Sequence, residues 1–381
     1  MVEKLRDEIM EKIKKSGGIK PSFCVIGAGN GGLAVAGYLA IYGFSVNIWT
    51  RDKVKMEALA AAGGIEVEGK IEGFGELNKI DPDFQKSIEG VDIIMVVIPA
   101  NGHKEIGEKL LKYVKPGQTI VLNPGRTGGA LELFNIFRKQ GKVRENIIFA
   151  EAQTFLFVAR KLGVHKVRIF DIKRSVPVSA VRSYKNPELI KKLRMAFPQF
   201  TPTSDVLHTS LGNVAVMFHP GVMLLNTGWV ESNHGNFEYY LEGISPGVAK
   251  VLEHVDNERI KIAEAVGIRV PSLKDWLYFS YGSTGVDLYE SVQTTPAYKG
   301  VMAPSNIHHR YILEDVPMSL VPMSSLGKKF GVETKCIDSL INIACCQQER
   351  DFWSEGRTVD DMGIKNFDLK TIKRLLAGEI V

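Results

Sequence analysis

The chain has 381 residues, 45% of them hydrophobic and 24% charged, a soluble globular balance with room for two domains of ordinary size. A net charge of +5 over that length is too mild for a nucleic-acid binder, though it mildly favours anionic small molecules. The four cysteines, Cys24, Cys336, Cys345 and Cys346, form no C-x-x-C pair, which argues for a reduced, cytoplasmic protein without structural disulfides, and the charged first twenty residues do not read as a signal peptide.

Residues 1–19 are charged, with Leu5, Ile9 and Ile13 at helical spacing, and read as a short amphipathic helix ended by Ser16-Gly17-Gly18. Phe23 to Ile26 then reads as a buried strand and Gly27-Ala28-Gly29-Asn30-Gly31-Gly32 as a turn that opens the helix from Leu33 to Tyr42. Ser45–Trp49 is a second strand, Lys53–Ala62 a helix, and residues 64–80 short strands and turns. Ile93 to Ile98 is a continuous apolar run, the mark of a strand buried on both faces of a parallel sheet. Helix 106–113 and strands 119–122 and 147–150 continue the alternation, which predicts a doubly wound α/β sheet. Val167–Ile172 and Val176–Val181 read as a pair of edge strands around Lys173-Arg174, Pro177 suiting an edge.

After residue 200 strand signals vanish and helical periods dominate. The clearest runs from Ser245, with Pro246 at the first helical position, to Gly267. The expected organisation is therefore a helix at 1–19, a dinucleotide-binding domain at 20–204 and an all-α domain at 205–381. The apolar run Leu211–Val230 contains His219, Pro220 and Asn226, and reads as core lined by polar groups rather than a membrane span.

Gly27, Gly29 and Gly32 fit the G-x-G-x-x-G spacing of a dinucleotide site. The first permits a tight turn, the second close approach to a pyrophosphate, the third close helix–strand packing. At the end of the second strand, where NAD sites place an acid, the chain reads Thr50-Arg51-Asp52. Arg51 suits a 2′-phosphate, which favours NADP, with NAD open through Asp52; a solvated arginine is the plain alternative. Pro99-Ala100 and Asn123-Pro124 stand where parallel strands end, as cofactor contacts or as ordinary turn residues.

His219 is the favoured proton-transfer residue. It precedes Pro220, which biases its backbone away from helix, so the imidazole is expected at a break in an apolar stretch; a satisfied core histidine is the alternative. Asn213, Asn226 and Glu231 punctuate or border the same segment. Arg310 is a fork for a carboxylate, and Asp315 is either the partner that orients His219 or a helix N-cap. The adjacent His308 and His309 point apart, so no metal site is expected.

With these residues in place the chain resembles the octopine/nopaline (opine) dehydrogenases from about residue 22 to about 364. The strings that carry the likeness are the glycine turn, Asn123-Pro124-Gly125-Arg126 with Gly128-Gly129, and Glu151-Ala152-Gln153-Thr154 leading to Arg160. Further on come Asn213 with His219-Pro220, Leu224 to Gly228, Asp256-Asn257-Glu258-Arg259, Arg310-Tyr311 with Glu314-Asp315-Val316-Pro317, and Gly356-Arg357-Thr358. The resemblance implies a Rossmann domain followed by a helical domain, with the active site in a cleft. It also implies NAD(P)H-dependent reductive condensation of an α-keto acid with an amino acid. By carry-over His219 transfers the proton, Asp315 is its partner and Arg310 a carboxylate anchor; Asn213 and Asn226 join the substrate residues. Phe157 departs from the tyrosine expected before Ala159-Arg160. Competing readings are a simple keto- or hydroxy-acid reductase and a non-catalytic dinucleotide-binding regulator. The former expects a lysine at the start of the second domain, and no lysine falls between Lys192 and Lys250. Nucleic acid and membrane are not expected partners, and a homodimer is the candidate assembly.

Overall fold

The computed structural model describes residues 7–9, 11, 12, 14, 20–144 and 146–380. Residues 7–9, 11, 12 and 14 are helical and Ile9 is buried, whereas Leu5, Ile13 and Ser16–Gly18 of the expected leading helix lie outside the described residues. The chain divides into two compact units. The first holds the described residues up to Gly125, then Gly129–Thr209 and the chain from Lys370; the second holds Arg126–Gly128 and Ser210–Leu369. No helix among the described residues is long and apolar enough to cross a membrane.

In the first unit twelve strands form two sheets: β1 Phe23–Ile26, β2 Val46–Trp49, β3 Gly64–Gly69, β4 Gly73–Glu76, β5 Lys79–Ile80, β6 Ile93–Val96, β7 Thr119–Leu122, β8 Ile148–Ala152, β9 Phe157–Lys161, β10 Lys166–Ile172, β11 Val176–Ala180 and β12 Phe200–Pro202. The larger sheet has the order β12-β11-β8-β7-β6-β1-β2-β5. It is parallel except where β11 meets β8. Strands β1, β6 and β7 are buried along their whole length, as the unbroken apolar runs require of a sheet covered on both faces. Helix Asn30–Ile41 lies in this core: Tyr38 stacks on Phe197 with ring centroids 5.2 Å apart and donates its hydroxyl to the Ala196 carbonyl at 2.7 Å.

The strands at 166–172 and 176–180 are not a pair, which corrects the sequence reading. β10 joins the smaller sheet, order β4-β3-β10-β9, while β11 sits inside the larger one between β8 and β12. Pro177 escapes the penalty of an inner strand because pairing with β8 covers only Val178–Ala180. The edge is the three-residue β12, paired to β11 in parallel. Two adjacent β-type segments do not reveal which neighbours they choose, since pairing depends on distant partners.

The second unit is helical, and beyond β12 the described residues hold only an isolated bridge between Glu238 and Met302. Its longest helix, Pro246–Ala265, is capped by Ser245, whose Oγ accepts from the Val248 N–H at 3.3 Å. Arg259 on this helix is fully buried. It pairs with Asp256 at 2.7 Å and donates to the carbonyls of Leu211 and Pro271, both at 2.6 Å. Glu258 accepts from the N–H groups of Cys336 and Ile337, the open first turn of helix Lys335–Gln348. The string Asp256-Asn257-Glu258-Arg259 thus carries structural bonds.

Candidate active site

In the first unit the glycine turn joins β1 to helix Asn30–Ile41. Gly27 has φ +120°, a conformation side chains resist, and a Cβ there would overlap the Val97 carbonyl oxygen. A Cβ at Gly32 would overlap the carbonyl oxygen of Gly27. Gly29 differs, since a Cβ there would meet nothing within 4 Å. It is also the N-cap of the helix, a residue with no side chain to cap the first turn, and that turn holds no acid. Unclaimed N–H groups and open space at the positive end of a helix dipole fit the pyrophosphate of a dinucleotide.

Two further features fit the same group. Asn123 follows β7, where open sheets bind ligands, and both atoms of its buried amide lack a hydrogen-bond partner among the described residues. At the end of β2, Asp52 is committed locally. It caps helix Lys53–Ala62 by accepting from Lys55 N–H at 3.2 Å, and it pairs with the Lys55 ammonium at 2.6 Å. Arg51 is 80% exposed and only loosely tied to Glu105, at 3.4 Å. Ala100 is buried where the turn after β6 begins, next to Pro99. Phe157 packs against the Tyr38 ring in the core of this unit.

The second unit gathers the charged candidates around His219. Contrary to the expectation of a break, His219 and Pro220 lie inside one helix, Ala215–Leu225. An interior proline costs about 3 kcal/mol. Burial of Val216, Met217, Phe218, Val222, Met223 and Leu224 outweighs it at roughly 1.5–3 kcal/mol each. The His219 carbonyl accepts a hydrogen bond from the Tyr239 hydroxyl at 2.6 Å.

The imidazole is held on two sides. Nδ1 lies 2.8 Å from Asp315 Oδ2, and the Tyr311 ring stacks on it with centroids 4.0 Å apart. Nε2 has no hydrogen bond among the described residues, and the side chain keeps 16% of its surface exposed. With Asp315 ionised, Nδ1 carries the proton and Nε2 the lone pair. Burial holds the imidazole pKa below its ordinary value, against the pull of Asp315 and aided by the positive charges of Arg126 and Arg310. Burial works against the Asp315 carboxylate too. The Arg126 charge and the His219 bond nevertheless keep its pKa below the ordinary aspartate value.

Asp315 leads into a one-turn π-helix, Val316–Leu320, but its side chain makes no cap bond there. It reaches Arg126 instead, whose Nη1 lies 2.9 Å from Oδ1. Arg126 Nε is 3.1 Å from Glu314 Oε1, and Glu314 Oε2 is 3.1 Å from Nε of Arg310. Arg310 is 54% exposed whereas Arg126, Glu314 and Asp315 are buried. Of the two asparagines, Asn213 is buried with a side-chain nitrogen that has no partner among the described residues, while Asn226 donates to the carbonyls of Val222 and Gly243. Arg126 and Glu314 were not singled out from the sequence. Their signal was their place in the strings Asn123–Arg126 and Glu314–Pro317, but a charge run is usually a solvated face.

Comparison with known proteins adds relatives to this geometry. The family described as NAD/NADP octopine/nopaline dehydrogenase, alpha-helical domain, matches residues 202–346, and the NAD-dependent glycerol-3-phosphate dehydrogenase N-terminus matches residues 22–124. The chain is 36% identical to an opine dehydrogenase of Arthrobacter sp. (strain 1C), over 92% of this chain and 98% of that protein. It is 22% identical to a vitopine synthase of Allorhizobium ampelinum, over 89% and 94% of the two chains. In fold it resembles octopine dehydrogenase in complex with NADH and agmatine, with a TM-score of 0.79, 21% identity and coverage of 95% and 99%. It also resembles NADP+-bound yersinopine dehydrogenase, with a TM-score of 0.73, 12% identity and coverage of 94% and 98%.

Proposed function

The chain belongs to the opine dehydrogenase family of NAD(P)-dependent oxidoreductases that act on CH–NH donors, and from that premise we propose that it joins an α-keto acid such as pyruvate to the amino group of an amino acid and reduces the resulting imine, or runs the reverse oxidation. The observation that carries this reading is the His219 imidazole, fixed through Nδ1 by Asp315 and left with a lone pair on Nε2. Opine, octopine and tauropine dehydrogenases recur among the chain's relatives.

Residues around His219 meet the demands of the condensation. The amino acid arrives as an ammonium, which is no nucleophile. His219 Nε2 takes one proton from it, and a depressed imidazole pKa keeps that nitrogen in the accepting form near neutral pH. The free amine adds to the keto carbon. The same imidazolium then returns its proton to the hydroxyl, which leaves as water and yields the protonated imine. Asp315 holds the ring in one tautomer and stabilises it while charged. Arg310, the exposed cation of the cluster, anchors a substrate carboxylate with guanidinium N–H groups beyond the one facing Glu314. When bound, NAD(P)H supplies the hydride. Gly27, Gly29, Asn30, Gly31 and Gly32 would hold its pyrophosphate, with Asn123, Pro124, Pro99 and Ala100 at the neighbouring strand ends. Arg51 with Thr50 would take a ribose 2′-phosphate, which favours NADP over NAD. The setting is cytoplasmic.

The test is NADPH and NADH oxidation with pyruvate, with and without a panel of amino acids. Oxidation that requires the amine, with a secondary-amine dicarboxylate as product, is expected. Oxidation indifferent to the amine returns the simple keto-acid reductase, and cofactor binding without turnover on any pair returns the regulator.

A further inference from the structure

The strongest unassigned feature of the helical unit is Arg126. Its side chain is buried between two acids, 2.9 Å from Asp315 and 3.1 Å from Glu314. Its backbone is left-handed, φ 58°, a conformation that costs a non-glycine residue energy and persists only where the surroundings impose it. The imposing contacts are visible on the next residues. Thr127 N–H donates to the Met318 carbonyl in the π-turn at 3.2 Å, the Thr127 carbonyl accepts from buried Arg357 at 2.8 Å, and Gly128 N–H donates to Ser210 Oγ at 2.9 Å. A short segment is thus pinned to the turn that follows Asp315, and its first side chain is aimed at the two carboxylates before that turn.

The Asp315 side chain makes no cap bond to the turn that follows it, so it is left to its two neighbours, Arg126 and His219. An Asp315 side chain held by His219 alone would be free to pivot about that single bond. Oδ2 is bonded to Nδ1 while the Arg126 guanidinium lies 2.9 Å from Oδ1 as an ion pair, so the carboxylate is held from both ends. Glu314 extends the same brace to Arg310.

Resting on the reading of His219 and Asp315 given above, we propose that Arg126 is a positioning residue of the reaction: its guanidinium holds Asp315 charged and in place, so that the His219 imidazole presents the Nε2 lone pair. A lysine would keep the charge but, as a point cation, cannot donate to Glu314 through one arm while another arm lies against Asp315. The groups that face His219 are Asp315 and Arg126, with Arg310, Glu314, Tyr311, His309 and Tyr239 around them. Removing the Arg126 charge takes away a cation that opposes imidazolium and leaves carboxylates that favour it.

The experiment compares Arg126→Lys, Arg126→Met and His219→Gln, each checked for a folded melt and for NAD(P)H binding by fluorescence. Arg126→Lys should lower kcat about 10- to 100-fold while the KM for the amino acid stays within a few-fold. Arg126→Met should move the acid limb of kcat/KM to higher pH, and added guanidinium should restore part of its rate. Should Arg126→Met fail to fold, Arg126→Lys decides, with the Nδ1–H proton resonance of His219 as its second readout. Wild-type kcat in Arg126→Lys overturns the proposal, and so does a loss of kcat with that resonance unmoved. His219→Gln separates the two readings: a dead His219→Gln beside a fully active Arg126→Lys defeats only the role of Arg126, whereas an active His219→Gln defeats the site itself.

Discussion

Asp315 Oδ2 lies 2.8 Å from Nδ1 of His219, a residue 96 positions earlier in the chain. The carboxylate is fully buried and its other oxygen faces Arg126. A buried charge so held is stable because it is paired on both sides, and it leaves the imidazole one chemically useful nitrogen.

Asp315→Asn keeps the shape but offers an amide that can turn its NH₂ toward Nδ1 and reverse the tautomer. Turnover should fall roughly 10²–10⁴-fold, with NAD(P)H affinity nearly unchanged, measured by steady-state kinetics beside cofactor titration. His219→Gln should lose a similar factor, about 10²–10⁴. Loss of cofactor binding in either variant would mean the residue is misassigned.

The pH dependence follows from the direction of the shifts. The folded pKa of His219 is lowered, so the neutral imidazole is favoured by folding. Its contribution to stability is present above the unfolded value of about 6.5 and is lost as pH falls through the folded one. With Nε2 as the proposed proton acceptor, the acid limb of kcat/KM should lie below about pH 6.5. Asp315→Asn, which removes a charge favouring imidazolium, should move that limb further down. A pH–rate profile of the two proteins checks this, and an upward shift would contradict it.

Gly29 and Gly32 should respond differently to alanine. At Gly32 the new methyl meets backbone and cannot be accommodated, at a cost of roughly 1–3 kcal/mol or more. At Gly29 φ is −89° and the space is open, so the fold should keep its melting temperature. A Cβ there intrudes on a docked pyrophosphate, so Gly29→Ala should bind NAD(P)H more weakly. Calorimetric melts and cofactor titrations separate the two outcomes.

Arg51→Ala should weaken NADPH binding by about 10- to 100-fold, the value of one charged hydrogen-bonding partner, and leave NADH binding nearly as before. Equal loss for both cofactors would show that Arg51 does not touch the 2′-phosphate.

Arg259→Met tests the structural role of the helix Pro246–Ala265. It leaves Asp256 buried without its cation, which should cost about 3–5 kcal/mol in denaturant unfolding.

Much of this was legible in the linear chain because the physics is local. The glycine spacing, the apolar runs of β1, β6 and β7, and the Ser245–Pro246 helix start each depend on a few neighbouring residues. His219, Arg310 and Asp315 stood out by residue type and surroundings. Strand pairing did not, because β10 and β11 are neighbours in sequence and belong to different sheets. Nor did the helix through Pro220, where a local penalty of about 3 kcal/mol yields to burial by distant side chains such as Leu252, which packs on Gly221.

By itself, then, the sequence determined an α/β unit with a glycine turn of dinucleotide spacing and a helical unit, and it marked one imidazole and one carboxylate as candidates. Only the tertiary structure decided that Asp315 serves His219 instead of capping a helix. Only it brought Arg126 from the loop after β7 to the same two acids. The reason is that an ionised side chain takes its partner from whatever lies within a few ångströms once the chain has folded, and no spacing along the sequence encodes that distance.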